Sequence, residues 1–207
     1  GVAMVSYVND GVRVHHITVV SPRVVDQVWG RAYSVVGGSD ITMTDLYSDN
    51  SAGAALYVAS ESEFNTYGVD RVTVNGATLL RSNQQASTVA SERPSPDAGV
   101  VSHGAVLLYN SQPFQSISDV TLRDFVIADT DPQAWDHVRI LSYDNEVQQR
   151  LTFERFTISG GSDYALGTLG IPSSAYNTSA WTINGSALSD HVGFGTQAAR
   201  TFFVSGV

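Results

Sequence analysis

Three aspartates recur at one interval toward the end of the chain. Asp136, Asp163 and Asp190 are separated by 27 and 27 residues, in WDHVRI, SDYALG and SDHVGF. If the backbone winds so that one circuit takes about that many residues, such side chains become vertical neighbours about 4.8 Å apart. Acid/base cleavage of a glycosidic bond needs two carboxylates roughly 5 to 10 Å apart, so a column of this kind can supply them. The same hard oxygen donors would suit Ca²⁺, the only cofactor these residues suggest. Ordinary turn aspartates bonded to backbone amides are the alternative. Asp26 and Asp49, 23 residues apart, form a rival pair, with Trp29 nearby as a platform for a sugar ring. Trp135, next to Asp136, offers a second platform, although either indole could equally belong to the core. Trp181 stands where the repeat has an inward Ile or Leu and reads as core. His15, His16, His137 and His191 lack the paired spacing of a zinc site and read as turn or surface residues. The chain shows no nucleophile elbow, P-loop or dinucleotide fingerprint.

The elements that would position these residues come from a repeat. A short segment returns six times: HITVV around Thr18, DITMT around Thr42, RVTVN around Thr73, DVTLR around Thr121, RLTFE around Thr152 and AWTIN around Thr182. Each alternates apolar, Thr, apolar, so Ile17 and Val19, Ile41 and Met43, or Leu151 and Phe153 share an inward face and the threonines share the other. A second strand follows each of the first five segments, at residues 31–36, 54–59, 104–109, 137–142 and 164–169. The longest interval, between Thr73 and Thr121, contains the Ser-, Pro- and Ala-rich stretch 82–99, which reads as a loop inserted between strands. Helical periodicity is absent. Gly, Asn, Asp and Ser between strands tolerate tight left-handed turns. Recurrence predicts an all-β parallel β-helix of about six coils in one domain over 1–207; an antiparallel β-sandwich is the alternative.

From Gly11 to Leu141 the order of features resembles the polygalacturonase-type glycoside hydrolases of the pectin-lyase-like, right-handed β-helix superfamily. ITVVSP at 17–22 looks like the strand and Ser-Pro before that family's active coils. SHG at 102–104 looks like its Gly-His-Gly, and VRIL at 138–141 like its Arg-Ile-Lys. The resemblance implies an open groove in which Arg139 grips a substrate carboxylate or hydroxyl and His103 supports the acid site. The catalytic acids do not carry over. Gly53 stands where the family has its first Asp, Asn83 and Gln84 where it has an Asp pair, and Leu141 where it has Lys. An amide cannot exchange the proton that glycoside cleavage demands. The chain is thus placed in the superfamily and outside the polygalacturonases. The expected function is a secreted glycoside hydrolase, or the C-terminal part of one, that binds an extended polysaccharide in a groove. The alternatives are a non-catalytic glycan-binding or structural β-helix, such as an adhesin, a tailspike-like segment or a degenerate enzyme, and then a polysaccharide lyase.

Composition fits these expectations. Twenty acids against 11 bases leave a net charge of -9, which argues against nucleic acid and anionic membranes as partners. No apolar run approaches the roughly 18 residues of a membrane-spanning helix. With no cysteine, neither a disulfide framework nor a thiolate metal site can form, which favours a bacterial exported protein. The opening GVAMVSYVND has no initiator Met and no signal-like apolar stretch, so it reads as the start of a mature chain or of an excised piece.

Overall fold

The computed structural model describes residues 1–94, 99–143, 146–162, 164–184 and 201–202. Its strands, in chain order, are β1 (Val2–Val5), β2 (His15–Val20), β3 (Arg23–Gln27), β4 (Tyr33–Val36), β5 (Ser39–Ser51), β6 (Leu56–Ser60), β7 (Val69–Leu80), β8 (Val106–Asn110), β9 (Ile117–Ala128), β10 (Val138–Ser142), β11 (Gln148–Ser159), β12 (Leu166–Leu169), β13 (Tyr176–Ser179), β14 (Thr182–Asn184) and β15 (Thr201–Phe202).

They form two sheets. Short strands make one, in the order β1-β4-β6-β8-β10-β12-β15. Long strands make the other, in the order β13-β11-β9-β7-β5-β2, with β3 and β14 added to β5 and β11. Pairing is parallel throughout except where β15 runs against β12. Parallel neighbours cannot be joined by hairpins, so the chain leaves each sheet, visits the other and returns. This excludes the antiparallel sandwich and is compatible with a parallel β-helix.

The long strands are not straight ribbons. β5 has left-handed residues at Asp40, Asp45 and Asn50, β7 at Arg71 and Gly76 with Arg81 just past its end, and β9 at Asp119 and Asp124 with Asp129 just past its end. Each such residue resets the in–out alternation: Met43 is inward, Thr44 and Asp45 are outward, and Leu46 is inward again. Asp and Asn tolerate this conformation better than most residues, because a short polar side chain bonds locally. Arg71, Arg81, Arg150 and Arg155 also adopt it, and each reaches back to an aspartate on the preceding strand.

The inward positions pack one core. Ile41, Met43, Val72, Val74, Val120, Leu122, Leu151 and Phe153 are all buried, as their repeat predicts. Phe125, Phe156 and Trp181 stack face to face with centroids 4.7 Å apart at each step. Trp181 also donates from Nε1 to the carbonyl of Phe153 at 3.2 Å, so its polar edge is satisfied inside.

The repeat itself needs one correction. Thr18, Thr42, Thr73, Thr121 and Thr152 do stack in register. The next residue in that column is Asn177, whereas Thr182 pairs with Thr157. AWTIN therefore matches RFTIS, the segment that follows the second left-handed corner of β11. Both segments read apolar-Thr-apolar because each corner restarts the same alternation.

Candidate functional site

Short strands bury both faces. Inward residues such as Tyr33, Leu56, Val58, Leu108 and Ile140 belong to the main core, while outward Val36, Tyr57, Ala59, Leu107 and Leu141 form a second apolar cluster. That explains why YSVV, LYVA, VLLY and VRIL are nearly continuous apolar runs rather than alternating ones. Register places the outward residues in two columns. One contains Ala3, Ser34, Tyr57, Leu107, Arg139 and Gly167; the other contains Val5, Val36, Ala59, Tyr109, Leu141 and Leu169.

A cleft of about 620 Å³ opens on this face. Its floor is aromatic. Tyr57 and Tyr109 stack with centroids 6.3 Å apart, and Tyr143 meets Tyr109 edge-on at 5.7 Å. Tyr7 and Phe64 stand exposed on its walls. Polar groups flank the rings. The Arg31 guanidinium lies over the Tyr57 ring, 3.8 Å from its centroid, and the Tyr57 hydroxyl donates to Glu61 Oε1 at 2.6 Å. Burial drives the Tyr57 phenol well above its ordinary value, so it remains a donor. Glu63 and His103 also line the cleft.

His103 is half-buried, with its Nδ1 shut from solvent and without a hydrogen-bond partner. Burial, followed by the charges of Arg31, Arg139 and Arg93, pushes its pKa down to about 3, so the ring is neutral at physiological pH. Asn83 positions the turn that carries it, since Nδ2 donates to the carbonyls of Val100 at 2.9 Å and His103 at 3.2 Å. Asn83, at the start of the stretch after β7, is thereby tied to the rim of the cleft. Gln84 also serves the backbone, donating to the carbonyl of Asp129. Gly53 packs with its amide on the Gly30 carbonyl at 2.7 Å.

The other residues singled out by sequence lie elsewhere. Arg139 shares the outward column with Tyr57 but is fully buried: Nη1 donates to Asp136 Oδ2 at 2.8 Å, and the guanidinium lies 5.5 Å from the Trp135 ring centroid. The open face implied for it by resemblance is closed. Asp136 is likewise fully buried. Asp49 accepts from Arg81 Nε at 2.7 Å, which holds its carboxyl below the usual range. Asp26 accepts from Asn50 Nδ2 at 2.7 Å. These two acids lie at an exposed corner of the long-strand sheet, one residue out of register, because Asp49 faces Val25. Trp29 is exposed on the turn after β3 and does not line the cleft. His137, expected at a turn or surface, is buried with its Nδ1 2.8 Å from Thr130 Oγ1. Asp163, Asp190 and His191 lie outside the described residues. Among those described, no group of three or more His, Cys, Asp or Glu could hold a metal ion.

Sequence reasoning therefore missed Arg31, Tyr57, Glu61, Glu63, Tyr109 and Tyr143. The available signal was the aromatic residue at alternate positions of the second strand column, in LYVA and VLLY, followed shortly by ESE in one copy. Compared with known protein families, curated proteins and solved structures, the chain finds no match.

Proposed function

We propose that the chain winds as a right-handed parallel β-helix of about six coils and that its cleft binds an extended polysaccharide. The Tyr57–Tyr109–Tyr143 row carries this reading. The Tyr109 and Tyr143 rings, backed by the buried Tyr57, offer sugar rings apolar and C–H contacts, while the hydroxyls of Tyr109 and Tyr143 and the flanking Glu and Arg groups satisfy hydroxyls. A groove across stacked strands matches the repeating geometry of an extended glycan. The role is binding, since each described acid nominated for catalysis is engaged: Asp136 with Arg139, Asp49 with Arg81 and Asp26 with Asn50. Export to the cell exterior belongs to the same proposal.

A glycoside hydrolase acting on the same ligand is the second reading, because Glu61 and Glu63 bring two carboxylates to one cleft. Affinity electrophoresis through gels containing different soluble polysaccharides tests the binding role, with Tyr109→Ala and Tyr143→Ala as variants. Retardation by at least one polysaccharide, relieved in both variants, is expected; retardation that both variants keep would remove the cleft as its site. Release of reducing ends, abolished by Glu61→Gln or Glu63→Gln, would move the assignment to the hydrolase.

A further inference from the structure

Arginines in this chain are mostly committed. Among the described residues, Arg13, Arg71, Arg81, Arg123, Arg139, Arg150 and Arg155 each have a carboxylate partner. Arg93 donates to the carbonyls of Thr88 and Ala86, and Arg23 lies over the Tyr47 ring at 3.9 Å. Arg31 is the one of these cations that lines the cleft, and it pairs with no carboxylate among the described residues despite the acidic excess of the protein.

The position of Arg31 is fixed rather than wandering. Its guanidinium rests on Tyr57, and its Nε is shut from solvent without an acceptor. A buried guanidinium N–H left unmade is costly, more so than a neutral donor. His103 Nδ1 is a second enclosed nitrogen without a partner on the same cleft. Of the two cleft acids, Glu61 accepts from the Tyr57 hydroxyl, at the edge of the ring whose face Arg31 covers. Arg31 and His103 stand just before β4 and β8, whereas Glu61 and Glu63 follow β6, so the two pairs enter the cleft from opposite ends of the short strands.

We propose that the Arg31–His103 end of the cleft receives an anionic substituent, a carboxylate or a sulfate ester, carried by the bound glycan; this rests on the glycan reading above. Arg31 supplies the charge, and the neutral imidazole supplies a donor without adding a buried charge. The selectivity follows from what is left unmet: a neutral sugar leaves the cation without a counter-ion, and a cationic sugar is repelled.

The test follows the His103 imidazole by NMR, assigned with His103→Asn, while the intact chain is titrated at constant ionic strength. The probes are glucose, glucuronate, glucose 6-sulfate and inorganic sulfate. Saturable movement with glucuronate or glucose 6-sulfate, absent with glucose, is expected. Arg31→Gln weakens it about tenfold, the loss of one charged hydrogen bond, and Arg31→Lys restores part of it. The two sugar anions separate a carboxylate site from a sulfate site. Movement equal for glucose and the anions, or unchanged in Arg31→Gln, overturns the proposal. Movement with inorganic sulfate while no sugar shifts Tyr109 or Tyr143 keeps the anion site and removes the glycan reading. Tyrosine shifts with glucose and no response of His103 to any anion do the reverse.

Discussion

Asp136 and Arg139, three residues apart, form an ion pair from which solvent is excluded on both sides, with Nη1 donating to Oδ2 at 2.8 Å. Removing either partner strands a charge in a low-dielectric interior, at a cost of about 3–5 kcal/mol. Asp136→Ala and Arg139→Ala are therefore expected each to lower unfolding stability by about that amount in chemical denaturation, whereas replacing both with apolar residues of matched volume lowers it less. Single losses below about 1 kcal/mol would place the pair in effective contact with water.

Gly167 lies directly under this pair. It is the register partner of Arg139, and a Cβ built there would meet the Asp136 carboxylate at 2.2–2.4 Å. The carboxylate is held by Arg139, so it has little freedom to withdraw. Gly167→Ala should cost about 1–3 kcal/mol, outweighing the roughly 0.4–1 kcal/mol that an Ala gains through the unfolded state. In an Asp136→Ala background the same substitution should cost less, and equal cost in both backgrounds would mean that the two residues do not meet.

The strand columns were legible because burial enforces an inward apolar face, and stacking forces that face to recur. Ile41, Met43, Leu151 and Phe153 follow from it directly. The register of AWTIN was not legible, because left-handed corners at Arg155 and Ala180 restart the alternation and make two columns look alike. The cleft was harder still. Tyr57 and Tyr109 sit in runs apolar at every position, where alternation cannot tell inward from outward. The roles of Arg139 and Asp136 depend on burial by parts of the chain distant in sequence, which spacing does not encode.

Trp181 and Trp29 should separate sharply. Trp181 completes the stack on Phe156 and has its Nε1 bonded inside, while Trp29 remains 59% exposed. Trp181→Ala is expected to cost about 3–5 kcal/mol and Trp29→Ala within about 0.5 kcal/mol. Iodide or acrylamide quenching offers an independent check, since deleting Trp29 should remove most of the quenchable fluorescence attributable to these two indoles.

Acid should destabilise the fold in two stages. Burial lowers His137 from 6.5 to about 4 and is the leading cause of the drop of His103 to about 3, so the folded chain resists protonation of both rings. A depressed folded pKa contributes stability present above the unfolded value, and that contribution falls away between pH 6.5 and the folded values. The second stage is the charge ladder on the left-handed corners, where Asp40, Arg71, Asp119 and Arg150 alternate in sign along the stack. Arg71 bonds both oxygens of Asp40, which takes that carboxyl from 3.8 to about 2. Its contribution is intact above pH 3.8 and disappears as pH drops through about 2. Tm should thus stay level from about pH 7 to 9, decline from about 6.5 to 4 and decline again from about 4 to 2. His137→Gln should flatten the first decline and Asp40→Asn the second. Added salt should reduce the second stage more than the first, because the ladder is exposed and His137 is not. A Tm profile that stays flat from pH 7 to 4 in the unaltered chain would mean that His137 is open to protonation in the folded state.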